Sequence, residues 1–143
     1  YLPAYSDEFI LKKLSKHPDQ KFQVFSKHTR EDYSQENVEV YKVNNEKFNL
    51  SLAKSEGLLT GGGFEGPAEA LFLGKKLLCV PMFHQYEQQC NALATEKMGA
   101  TVIWSEKEFD QKLNHWLKNA EPIQVHFPDE TEEVIKNLIK KYS

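Results

Sequence analysis

Residues 57–92 read GLLTGGGFEGPAEALFLGKKLLCVPMFHQYEQQCNA, and the fold turns on how that stretch divides. GLLT (57–60) is a short apolar run ending in glycines, the form of a buried strand. Pro67 suits the first position of a helix, so the spacing predicts a helix PAEALFLG begun at Pro67 and stopped by Gly74. KLLCVP (76–81) reads as a second buried strand, and EQQCNALATEKMG as a helix closed by Gly99. Parallel strands need such crossovers.

The alternation extends in both directions. Upstream, Ser6 is a candidate N-cap for DEFILKKLSKH, with Phe9, Ile10 and Leu14 on one face. KFQVFSK and VEVYKV (38–43) alternate like strands, and FNLSLAKSE (48–56) reads as a short helix. Downstream, ATVIW is a strand. Ser105 and Glu108 form a capping box for a helix striped by Phe109, Leu113, Trp116 and Leu117. A last amphipathic helix carries Val134, Leu138 and Tyr142 and is expected to pack either on the core or on another domain. The whole predicts one α/β domain over 1–143: a doubly wound, Rossmann-like, mostly parallel sheet.

Composition sets limits. The chain has 143 residues, 40% hydrophobic and 12% aromatic, enough for one real core. A net charge of −3 gives no basic excess for nucleic acid. No apolar run approaches the ~20 residues of a membrane span. Cys79 and Cys90 both sit in apolar company, and no disulfide is expected, which favours the cytoplasm. With Tyr1 first and no initiator Met, YLP reads as the tail of a strand, so a fragment of a longer polypeptide is expected.

In doubly wound sheets ligands bind beyond the carboxyl ends of the strands. The loops to watch are therefore 3–6, 43–46, 60–66, 81–87 and 104–106. Gly61, Gly62 and Gly63 would let backbone approach a ligand closely or adopt positive φ, and the next helix offers free N–H groups, a combination suited to a diphosphate. A plain structural turn is the competing reading. Glu69 could simply complement the helix dipole, or its two oxygens could accept from vicinal hydroxyls such as those of a ribose. Glu87, Gln88 and Gln89 open the next helix, where amides suit sugar hydroxyls or merely start a helix. His84 reads as a loop-structuring residue. No cluster has metal-ligand spacing.

Taken together, Gly63, Glu69, Gly74, Pro81, Glu87, Gln88, Asn91 and Ala92 resemble the donor-binding signature of GT-B glycosyltransferases. The stretch is similar to bacterial peptidoglycan-precursor N-acetylglucosaminyltransferases and to the UDP-glycosyltransferases of plants and animals. That resemblance implies the C-terminal half of a GT-B fold, gripping a UDP-sugar for hexosyl transfer with inversion. Glu69 would hold ribose. Gly62, Gly63 and the backbone that follows, with Phe64 and Gly66, would form the diphosphate loop, and Glu87, Gln88 and Gln89 would hold sugar hydroxyls; Gly61 and His84 complete the expected substrate-binding set. Val43 would lie where the base is read and Ser6 near the phosphates.

Neither cofactor nor metal is implied, and the catalytic base is expected on a separate N-terminal domain, the fragment alone being inactive. No transmembrane segment is expected, although peripheral membrane association is open. The pattern departs from the family in YLPAYS, which lacks glycines, in Val43 for a stacking tryptophan, in Gly61 for a histidine, and in Lys75-Lys76 before the strand. A stand-alone donor subunit and a UDP-N-acetylglucosamine 2-epimerase-like enzyme are the competing functions.

Overall fold

A computed structural model describes residues 1–142. Helix α1 (Asp7–Leu14) starts where the Ser6 hydroxyl accepts from Phe9 N at 3.2 Å. It leads into β1 (Phe22–Ser26), β2 (Tyr33–Gln35) and β3 (Val38–Lys42), which form one sheet in the order β1-β3-β2. β1 and β3 are parallel, whereas β2 is an antiparallel edge strand hairpinned onto β3. Sequence reading missed β2, because YSQ is exposed throughout and shows no apolar alternation.

Helix α2 (Asn45–Lys54), β4 (Gly57–Thr60), α3 (Glu65–Phe72), β5 (Lys76–Cys79), α4 (Tyr86–Lys97) and β6 (Thr101–Val102) follow. Strands β4, β5 and β6 form a parallel sheet in that order. A 3-10 turn (Glu106–Glu108) with the Ser105/Glu108 capping box introduces α5 (Phe109–Asn119), and α6 (Thr131–Tyr142) comes last.

Period-2 alternation in the sheet separates two cores. Leu78 and Val80 join Val24, Val38, Val40 and Ile103 beneath α1 and α5, with Phe109, Leu113 and Trp116. Leu77 and Cys79 face the other way, toward Leu52, Ala70, Leu71 and Ala92 of α2, α3 and α4. Helices cover both faces, so the fold is doubly wound, Rossmann-like α/β, as expected. The first core draws on strands of both sheets, which makes them one folded unit.

Four boundaries or placements differ from expectation. α2 begins at Asn45 rather than 48 because the Asn44 side chain accepts from Lys47 N at 2.9 Å. α3 begins at Glu65, so Pro67 is its third residue and Glu69 its fifth. Proline is tolerated there because first-turn N–H groups have no intrahelical acceptor. Cys90 is exposed, and only Cys79 is buried, both as free thiols. Finally, α6 packs on no core: Val134, Leu138 and Tyr142 are 51%, 52% and 74% exposed. Gly74, at φ 62°, ends α3 as predicted. No helix among the described residues is long and apolar enough to cross a membrane.

Candidate functional site

At the carboxyl edge of the β4-β5-β6 sheet two loops, 61–64 after β4 and 80–85 after β5, are tied together by the first turns of α4. The Gln88 side-chain oxygen accepts from Gly62 N at 3.3 Å and from Met82 N at 3.0 Å. Its amide nitrogen donates to Gln85 Oε1 at 2.7 Å. One turn on, Asn91 Nδ2 donates to Gly62 O at 3.2 Å. Both peptide groups of Gly62 are thus held by side chains three residues apart on one helix face.

Contact is close enough to exclude a side chain at 62. A Cβ there would stand 2.4 Å from the Gln88 carbonyl oxygen, whereas one on Gly63 would meet nothing within 4 Å. None of the three glycines has positive φ; only Gly74 and Gly99 do. Close helix approach, not left-handed backbone, is therefore what requires glycine at 62. Gly61 donates to Tyr1 O at 3.2 Å, which brings the 3–6 loop alongside. Gly66 is half-buried in the first turn of α3, while Phe64 is 71% exposed.

The carboxylates are open to solvent. Glu69 stands exposed on α3 and Glu87 exposed at the start of α4. His84 is exposed too, its ring edge-on to Phe83 with centroids 4.8 Å apart. Gln89 is spent on the loop, donating to Phe83 O. Ser6 is exposed, but its hydroxyl oxygen is engaged as the α1 cap. Among the described residues no group of three or more His, Cys, Asp or Glu side chains converges as metal ligands would.

Val43 lies apart from these loops, just past the carboxyl end of β3. It lines a surface cavity of about 520 Å³ with Asp32, Lys42, Asn44, Lys47 and Leu50. The Asp32 carboxylate accepts from Lys47 Nζ at 2.8 Å and from Lys42 N at 2.9 Å. Those bonds hold its pKa below the usual carboxylate range. Lys47 Nζ also sits 3.4 Å from the Tyr41 ring centroid.

Sequence reasoning found the loops but missed three contributors. Asn91 entered only as part of a motif; its i+3 spacing from Gln88 was a readable sign that both face the glycine loop. Met82 contributes through its backbone, which no side-chain pattern reveals. Asp32 reaches the Val43 cavity from the β1–β2 connection, just ahead of strand β2, which had no apolar signature.

The model of the family described as "Glycosyl transferase family 1" matches residues 1–121. No curated protein matches the chain.

Proposed function

This chain belongs to glycosyl transferase family 1 and is a GT-B glycosyltransferase domain; we propose that it grips a UDP-sugar across the carboxyl edge of its parallel sheet for hexosyl transfer. The observation that supports this best is the pinned glycine loop. Gln88 and Asn91 fix Gly62, leaving Gly63 open ahead of the free first-turn N–H groups of α3, where a diphosphate is stabilised by dipole and donors together. Glu69 takes the ribose hydroxyls, as a solvated carboxylate with two acceptor oxygens can. Glu87 takes hydroxyls of the sugar. Gln88, whose oxygen already serves two backbone donors, has one amide hydrogen beyond its bond to Gln85 to offer. The Val43 cavity receives the base.

In the reaction an acceptor oxygen forms a bond to the anomeric carbon as the bond to the β-phosphate oxygen breaks. UDP leaves with the electron pair, and the acceptor proton passes to a base. We assign that base and the acceptor contacts to a separate N-terminal domain of a two-domain cytoplasmic enzyme, with this domain as its C-terminal half. Stabilising the leaving diphosphate is the electrostatic work left to the glycine loop and α3.

Calorimetry with UDP tests the reading. Binding is expected for the unaltered chain, and Glu69→Ala is expected to weaken it about 10- to 100-fold, the loss of charge-assisted hydrogen bonds worth about 1.5–3 kcal/mol. Equal affinity in the two proteins would remove Glu69 from the site.

A further inference from the structure

The last helix is left uncovered. The family match ends at residue 121, and α6 (Thr131–Tyr142) lies beyond it. None of its residues is buried, and none joins either core. Yet Val134, Ile135, Leu138, Ile139 and Tyr142 stand exposed at i, i+1, i+4, i+5 and i+8, on one side of the helix. A helix of 12 residues is marginal in water on its own, and burial of its apolar face is what holds such a helix. The stripe calls for a partner.

The sequence of α6 specifies which. TEEVIKNLIKKY is close to a palindrome in chemical character about the point between Lys136 and Asn137. Val134 and Ile135 mirror Ile139 and Leu138. Glu133 and Glu132 mirror Lys140 and Lys141, with the charge reversed. We propose that α6 pairs antiparallel with α6 of a second copy of this chain, in a two-fold symmetric helix pair. Val134 then lies level with the partner's Ile139 and Ile135 with the partner's Leu138, so the stripes meet along their length. The acidic end of each helix lies over the basic end of the other, and Asp129 and Glu130, just ahead of α6, extend the acidic end. Lys136, beside the mirror point, is paired within its own helix to Glu132 at 2.5 Å. A parallel pair would set like charges together at both ends. One patch that complements itself is what a two-fold interface needs. The helix dipole also favours acids first and lysines last, so the same pattern serves the helix and the pair.

A lipid surface fits less well. Helices that lie on anionic bilayers carry Lys and Arg along the polar face, whereas Asp129, Glu130, Glu132 and Glu133 would be repelled at one end. The paired length is about 18 Å at 1.5 Å per residue, so the interface is small and the association reversible. Because α6 joins neither core, pairing leaves the Tm of the sheet domain unchanged. The inference does not depend on the donor assignment.

Sedimentation equilibrium of the chain between ~1 µM and ~1 mM tests it, with reductant present because Cys90 is exposed. The average mass is expected to rise from 16.6 kDa toward twice that. Leu138→Asp is expected to weaken association at least ~100-fold without changing Tm, since its charge would be buried in the paired stripe. The double variants Glu132→Lys/Glu133→Lys and Lys140→Glu/Lys141→Glu are each expected to associate at least ~10-fold more weakly than the unaltered chain. An equimolar mixture of the two is expected to recover the heavier species. A mass of 16.6 kDa throughout would overturn the proposal, and cosedimentation of that monomer with phosphatidylserine vesicles would identify lipid as the occupant. Association unaffected by Leu138→Asp would overturn it equally. A mixture no heavier than its components would overturn the antiparallel arrangement, and the concentration series with Leu138→Asp decides where a charge variant loses its helix.

Discussion

A methyl group on residue 62 would stand 2.4 Å from the Gln88 carbonyl oxygen, and neither the glycine loop nor α4 can yield without losing the Gln88 and Asn91 bonds. Gly62→Ala is therefore expected to cost about 1–3 kcal/mol, the usual range for forcing extra volume into a packed contact. Gly63→Ala, which meets open space, should stay within about 0.5 kcal/mol. Urea denaturation of both variants checks the contrast; equal costs would mean the loop is not pinned as described. The residues of the triplet look alike in sequence, and only the approach of α4 tells them apart. The same holds for Gln88. Its residue type announces hydrogen bonding without saying whether the partner is a ligand or Gly62, because an amide serves either. Gln88→Ala is accordingly expected to weaken UDP binding through the loaded loop, though less than Glu69→Ala, as calorimetry would show.

Helices α1 and α5 cover one face of the sheet, and Asp110 joins them by ion pairs to Lys13 at 2.9 Å and Lys16 at 2.8 Å. Hydrogen bonds from Lys16 and then Lys13 hold the Asp110 pKa below its usual value. A carboxylate whose pKa is lower folded than unfolded adds stability above its ordinary pKa, and that stability is lost as pH falls through the folded value. Asp110→Asn should then cost about 0.2–1 kcal/mol at neutral pH, the range for exposed pairs. The difference from the unaltered chain should shrink toward zero in acid and in ~1 M salt; a cost independent of both would point to packing instead. Helix α6 behaves differently, since none of its residues is buried. Removing residues 131–143 should move Tm by less than ~2 °C, and a larger fall on thermal melting would show that α6 packs. Its apolar stripe was plain in the sequence, but a stripe records only that a face can be buried, not against what. The strand–helix alternation was legible for a firmer reason: short apolar runs between glycine and proline stops have few alternatives. Strand β2 was not, since its three polar residues exist as a strand only through pairing with β3.

For the molecule as a whole, the doubly wound sheet divides its work by edge. Its faces are spent on the two cores, and its carboxyl ends gather the pinned glycine loop, the start of α4 and the Val43 cavity. The central claim, that a nucleotide diphosphate lies across the carboxyl edge, is tested most directly by mapping amide chemical-shift changes as UDP is added to ¹⁵N-labelled protein. The largest changes are expected on residues 61–66, on 82–88 and around Val43. No change at any of these, or changes confined to the opposite edge of the sheet, would contradict it.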